Sequence, residues 1–373
     1  MLNNSQSSMN ISVPFLNLSL SGSEEFPRLM KAMQGVLEHG RLVMGPEVES
    51  LERAVADYCG RKYAVAVGSG TDALYLSLRA LSLGAGDEVI TTALSWVATA
   101  NAIALTGATP VFADVMGDLN ICPDSVESLI TARTKAVVVV DYTGKICEMD
   151  SLLDVCERHG LSLVEDGSQA FGATYKGRRC GSFGVVSAIS HNPMKVLAAL
   201  GEAGSILCDD EAIYDRLVAL RYNGTINREV CIEPSINGRM DTLQAAVLLE
   251  RLDTFESLLS QRRKNAELYN DRLSGFCTLP QNDLDSEQVY YTYTLQTSKR
   301  DALEAYLGSL GIETKVQHRL LMPEAPAYKP SARGHYPNAL TLSKQILSIP
   351  VHEKLTNEQL HSVADSIVQF MKK

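Results

Sequence analysis

Positive charge is in short supply in this chain: 34 Lys and Arg stand against 44 Asp and Glu, a net charge of −10. That balance excludes nucleic acid and anionic membrane as main partners, because phosphate-rich polymers are held by clustered positive charge. A phosphorylated small molecule can still be bound by local amides and a few Arg or Lys side chains. Paired cysteines are missing too. The 8 cysteines are scattered, with no CxxC and no Cys/His cluster of metal-ligand spacing, which reads as reduced thiols in a cytoplasmic protein without a metal site. No apolar stretch approaches a membrane span, and the opening MLNNSQSSMNISVPFLNLSL lacks the features of a signal peptide. Residues 1–22 are expected to form an arm lying on the surface or against a partner subunit. There is no internal repeat, and only 1 tryptophan.

What is present suits an ordinary globular protein: 45% hydrophobic and 21% charged residues over 373 positions, enough for about two domains. Apolar β-branched runs at 62–67, 88–92, 110–114, 136–140 and 161–166 alternate with helical patterns such as Met149 to Arg158. Strands separated by helices at this spacing mean an α/β domain with a mostly parallel sheet. Shorter strands are expected at 185–190 and 204–207, then one long helical region from Arg239 to Asn270. The remainder reads as a smaller α+β unit, with a strand at 289–296, a helix at 300–310 and a final amphipathic helix from Asn357.

Several residues could carry chemistry. Lys195 follows Ser190-His191-Asn192-Pro193-Met194 and precedes a run of small residues; a lysine there is either a solvated surface charge or an amine placed to attack a carbonyl. Gly68-Ser69-Gly70-Thr71-Asp72 lies where a strand hands over to a helix, which makes it an anion site or a plain turn. Asp166 closes an apolar strand with Gln169 three residues on. In open α/β sheets ligands gather beyond the carboxyl ends of the strands, so Asp166 faces the site or caps a following helix. Trp96, in SWVATAN, could stack on a flat ring or anchor the core. Asn237 and Arg239 open the long helical region, where they could meet an oxyanion or serve as cap and surface charge.

Taken in order, SGTDAL, SWVATAN, VEDGSQAFGA, SxxPxK, NGRMDTLQAA and LSIPVH resemble the DegT/DnrJ/EryC1/StrS family of sugar aminotransferases, over nearly the whole length. The resemblance implies pyridoxal 5′-phosphate (PLP) as cofactor and fold type I, the aspartate-aminotransferase fold. It also implies a large domain (23–255) with a mostly parallel seven-stranded sheet, a small C-terminal domain (256–373), and a homodimer with shared active sites. By that similarity Lys195 is the Schiff-base lysine and proton shuttle, Asp166 holds the pyridine nitrogen, Gln169 lies near the phenolic oxygen and Trp96 stacks on the ring. Gly70, Thr71 and Ser190 contact the phosphate, joined by Asn237 from the partner chain. Arg239 and His318 match positions that face the substrate or amino donor.

The implied reaction carries an amino group from L-glutamate to a nucleotide-linked keto sugar. Pro193-x-Lys195-x-Leu197 is similar to members acting at C3 rather than C4. An aminocyclitol transaminase and a non-catalytic PLP-binding protein are the alternatives; related dehydratases carry histidine at the position of Lys195. The departures from the family pattern are His191-Asn192, Asp141-Tyr142-Thr143-Gly144, Ala203 and Gln317-His318-Arg319, and they are expected around the substrate side of the site.

Overall fold

In the segment Thr134–Val140 (TKAVVVV) every residue but Lys135 is buried. β-Branched side chains hidden on both faces suit a central strand with helices packed above and below, and the computed structural model places it so. The structure describes residues 12–330 and 332–373; residues 1–11 of the expected arm lie outside the described residues.

Seven strands make one sheet: β1 (Tyr63–Val67), β2 (Glu88–Thr92), β3 (Thr109–Ala113), β4 (Thr134–Val140), β5 (Ser162–Asp166), β6 (Val186–Ser190) and β7 (Gly204–Cys208), in the order β1-β7-β6-β5-β4-β2-β3. Only β7 is reversed, antiparallel to both β1 and β6. The expected mostly parallel, seven-stranded α/β sheet is present. Alternate residues of β4 serve opposite faces: Val137 and Val139 pack with Val48, Leu51 and Phe171, while Ala136 and Val138 pack with Leu74, Leu76 and Val164. The carboxyl ends of β4, β5 and β6 come level where Val140 pairs with Asp166 and Asp166 with Ala188.

Two expectations are corrected. The helical region from 239 to 270 is two helices, Thr242–Leu252 and Phe255–Leu273, because Thr254 leaves the helical conformation. The break lets buried Phe255 pack against Tyr58 and Phe171, at ring separations of 5.9 and 5.6 Å. Of the strand expected at 289–296, only Tyr293–Gln296 joins a ladder, antiparallel to Ile346–Ile349. Residues 289–292 instead cross the 143–144 segment: Val289 N donates to Gly144 O (3.0 Å) and Thr292 N to Thr143 O (3.2 Å).

Helices Arg300–Ser309 and Asn357–Met371 complete the C-terminal part; the second opens on a capping box between Thr356 and Gln359. A third core joins Tyr269, Leu273, Tyr293, Leu347 and Val363. Val13 enters that core and bridges Ile312, and His352 Nε2 lies 3.3 Å from Pro14 O, so the described part of the arm lies on the C-terminal part of its own chain. The eight cysteines are free thiols. No helix among the described residues is long and apolar enough to cross a membrane.

Candidate active site

A cavity of about 510 Å³ opens at the carboxyl ends of β5 and β6, beside the segments that follow β1 and β2, and its walls include Gly70, Thr71, Trp96, Asp166, Gln169, Ser190, Lys195 and His318. A neighbouring cavity of about 540 Å³ shares Met194 and Lys195 with it but reaches neither Asp166 nor the Gly70 turn.

The anion-binding wall follows from the end of β1. Ser69 is extended and caps the helix Gly70–Ala80, its Oγ accepting from Asp72 N at 3.0 Å. The N–H groups of Gly70 and Thr71 have no acceptor among the described residues, as expected of the first turn of a helix. Gly70 is packed so closely on β6 that a Cβ there would stand 2.5 Å from Ser190 Cβ. Two unpaired amides, a positive helix end and the Ser190 hydroxyl therefore crowd one wall.

Asp166 is 4% exposed and accepts from Thr99 Oγ1 (2.8 Å) and Ser168 N (3.2 Å). No helix follows it, only turns from 168 to 172, so the helix-cap alternative falls away. Gln169 Oε1 accepts from Thr143 N at 3.0 Å, while its Nε2 donates to no described group. Trp96 is 63% exposed, which rules out the core anchor; its ring stands 6.3 Å from that of His318.

Lys195 sits in a tightly bonded loop. Lys195 N donates to Asn192 O (2.8 Å) and Met194 N to Asn192 Oδ1 (3.0 Å), while Asn192 Nδ2 donates to Glu202 Oε1 (2.6 Å). The Lys195 Nζ stands 4.8 Å from the centroid of the Tyr291 ring. Across the cavity, burial and then the Lys195 charge push the His318 imidazole down to about 4, so it is neutral at physiological pH.

Not every expectation places its residue here. Asn237 and Arg239 are absent from the walls: Arg239 Nε donates to Asn237 Oδ1 (2.8 Å), and the guanidinium lies 4.3 Å over the Tyr222 ring. His191, expected on the substrate side, is wholly buried. Its Nδ1 lies 3.2 Å from Leu197 O and its Nε2 3.0 Å from Ser205 Oγ. A carbonyl can only accept, so Nδ1 carries the hydrogen and Nε2 accepts from the serine. Burial lowers this imidazole to about 4. Asp141 and Ala203 are likewise buried, which leaves Gln317 and His318 as the departures that reach the cavity beside Asn192.

Thr99, Glu202, Tyr291 and Lys315 also line the cavity without having been singled out. Thr99 lies three residues after Trp96, a helical spacing that could have flagged it; Tyr291 and Lys315 carry no local signal. Beneath Asp166, ligand-type atoms of Asp141, Glu165 and Cys180 lie within 4.8 Å of one another. Glu165 already accepts from Gly181 N, Phe183 N and Ser187 Oγ. Burial and the Glu165 charge hold the Asp141 carboxyl well above its usual range, and it accepts from Cys147 N at 2.9 Å.

Residues 24–368 match the DegT/DnrJ/EryC1/StrS aminotransferase family. The chain belongs to that family. It is a pyridoxal 5′-phosphate-dependent aminotransferase, and the walls fit the cofactor: unpaired amides for its phosphate, a buried carboxylate for its ring nitrogen and a lysine amine for its aldehyde. The aminotransferase is 37% identical over 363 residues to the dTDP-3-amino-3,4,6-trideoxy-alpha-D-glucose transaminase of Streptomyces venezuelae, covering 96% of each chain. It is 34% identical over 367 residues to a "Pleiotropic regulatory protein" of Geobacillus stearothermophilus, covering 96% of this chain and 99% of that one. Among solved structures it is similar to S. venezuelae DesV, with TM-score 0.94 and 36% identity over 97% of this chain and 99% of DesV.

Proposed function

We propose that this aminotransferase carries an amino group from L-glutamate to C3 of a nucleotide-linked keto sugar, in the cytoplasm, with each site completed by a second copy of the chain. The observation that carries the reading is the convergence of the Lys195 amine, the Asp166 carboxylate and the unpaired amides of Gly70 and Thr71 on one cavity. The 3-amino sugar in the name of the S. venezuelae relative and the Pro193-x-Lys195-x-Leu197 pattern favour C3 over C4. Eight free thiols suit a reducing compartment.

When bound, PLP supplies an aldehyde and an electron-withdrawing ring that stabilises negative charge at the substrate carbon. The chain's own residues do the rest. Gly70 N, Thr71 N and the Ser190 hydroxyl hold the phosphate. Asp166, held by Thr99 and Ser168, would keep a proton on the ring nitrogen, while Gln169 Nε2 would donate to the ring's oxygen and the Trp96 face would cover the ring. Lys195 Nζ would hold the aldehyde and would move a proton at the substrate carbon. His318, neutral on the open wall, meets the sugar. Asn237 and Arg239, which do not line their own cavity, suit the second copy's site, with Asn237 of the partner subunit on the phosphate and Arg239 of the partner subunit near the substrate.

Borohydride reduction followed by peptide mass spectrometry should place the cofactor on Lys195. L-glutamate should abolish the cofactor's absorbance band, and a 3-keto nucleotide sugar should restore it faster than a 4-keto one. Full turnover by Lys195→Ala at the wild-type rate would overturn the assignment. Restoration by a keto-inositol alone would make the protein an aminocyclitol transaminase; a band that no amino acid changes would favour a non-catalytic role, as the name of the Geobacillus relative suggests.

A further inference from the structure

The Lys195 amine has no hydrogen-bond acceptor and no ion pair among the described residues; what it faces is the Tyr291 ring, 4.8 Å from Nζ to the centroid. The other titratable groups lining the cavity are Asp166, Glu202, Lys315 and His318, and none forms a salt bridge with it. Asp166 is engaged by Thr99 and Ser168, and Glu202 by Asn192.

Tyr291 is held in place from two sides. Arg262, 5% exposed and paired with Glu353 at 2.8 Å, donates from Nη2 to the carbonyls of Tyr290 (3.1 Å) and Tyr291 (3.2 Å). Opposite, Gly144 adopts φ +106° and approaches so closely that a Cβ would lie 2.7 Å from Tyr291 N. Its neighbour Thr143 accepts from Thr292 N and donates its own N–H to Gln169. One backbone crossing thus fixes the ring under Lys195 and the amide of Gln169 together.

We propose that Tyr291 is a positioning residue whose ring face holds the Lys195 ammonium whenever that amine is not bonded to the cofactor. This rests on the reading of Lys195 as the cofactor-bonding amine. An aromatic face attracts the ammonium, so it parks the lysine against the ring until that contact is broken. Breaking a contact of that strength changes the rate at which the amine reacts by roughly two- to thirtyfold.

The test uses the cofactor-free full chain and potassium cyanate, whose conjugate acid HNCO adds across the N–H of a neutral amine to give a urea. Carbamylation of Lys195 is followed by peptide mass spectrometry at one fixed pH, with exposed Lys62 as internal reference. Tyr291→Leu should raise the Lys195 rate by about two- to thirtyfold while Lys62 is unchanged. Tyr291→Phe, which keeps the face and loses only the hydroxyl, should stay within about twofold of wild type. Tetrafluorophenylalanine at 291 drains the face of negative charge at nearly constant shape and should move the rate towards that of Leu, which keeps the test decisive even where the Leu chain misfolds. An unchanged or slower rate in both the Leu and fluorinated chains, or a Phe rate equal to that of Leu, overturns the proposal. Borohydride labelling by PLP tests the underlying reading separately: a Lys195 that labels but ignores ring 291 loses only the positioning role.

Discussion

Acidification should destabilise this aminotransferase through His191 in a window that its burial defines. The imidazole is wholly buried with both nitrogens bonded, and its folded value of about 4 lies below the ordinary 6.5. A pH unit or more above 6.5 the ring is neutral in both states and its titration contributes almost nothing. As pH falls below that, the unfolded chain gains a proton that the buried ring refuses, so stability is lost progressively until about pH 4. The full shift corresponds to about 3 kcal/mol, of which about 2.5 kcal/mol is lost between roughly pH 7.5 and pH 4.5. Urea unfolding of wild type and His191→Gln at these two pH values isolates the effect, because His318 titrates in both proteins and cancels. The wild-type advantage over the Gln chain should shrink by about 2.5 kcal/mol on acidification. An advantage constant within about 0.5 kcal/mol would refute the buried neutral imidazole.

Gly70→Ala puts a methyl group 2.5 Å from Ser190 Cβ; thermal melting should show a loss of about 1–3 kcal/mol, and equilibrium dialysis weaker retention of PLP. Thr99→Val removes the 2.8 Å donor to Asp166 and should cost about 1.5–3 kcal/mol of cofactor binding, whereas Thr99→Ser keeps the hydroxyl and most of the affinity; equal losses in both would show that the hydroxyl is immaterial. Asp141 carries the opposite pH sign to His191. Its carboxyl is held well above the ordinary range, so the folded chain keeps a proton that the unfolded chain releases above about pH 4, and wild-type stability declines as pH rises. Asp141→Asn stays uncharged and should gain on wild type steadily across a pH series of urea midpoints; a gain that does not grow with pH would show the carboxyl to be ionised.

The strand–helix alternation, the end of β5 at Asp166 and the capped turn at Ser69–Thr71 were legible because each depends on a few consecutive residues. A run of buried β-branched side chains, or a serine three residues before the amide it caps, carries its own geometry. The helix break at Thr254 was hidden, since it answers to Phe255 packing on Tyr58 and Phe171 from distant segments. His191 was expected on the substrate side because, with Asn192, it departs from the family pattern. Strand alternation and the bonds to Leu197 and Ser205 turn its ring into the core instead.

Chain order alone therefore determined the family, the α/β architecture and the residues that converge around Lys195, all of them carried by short motifs with local physics. Tertiary structure decided which way each side chain faces and what stands opposite it. Trp96 became a wall rather than an anchor, Asn237 and Arg239 fell outside their own cavity, and Tyr291 came to lie beneath the lysine. That last contact is made by Gly144 passing close to Tyr291 N and by Arg262 gripping its carbonyl. Neither residue adjoins Lys195 in sequence, and a contact between distant segments is set by the packing of the whole fold rather than by any local pattern.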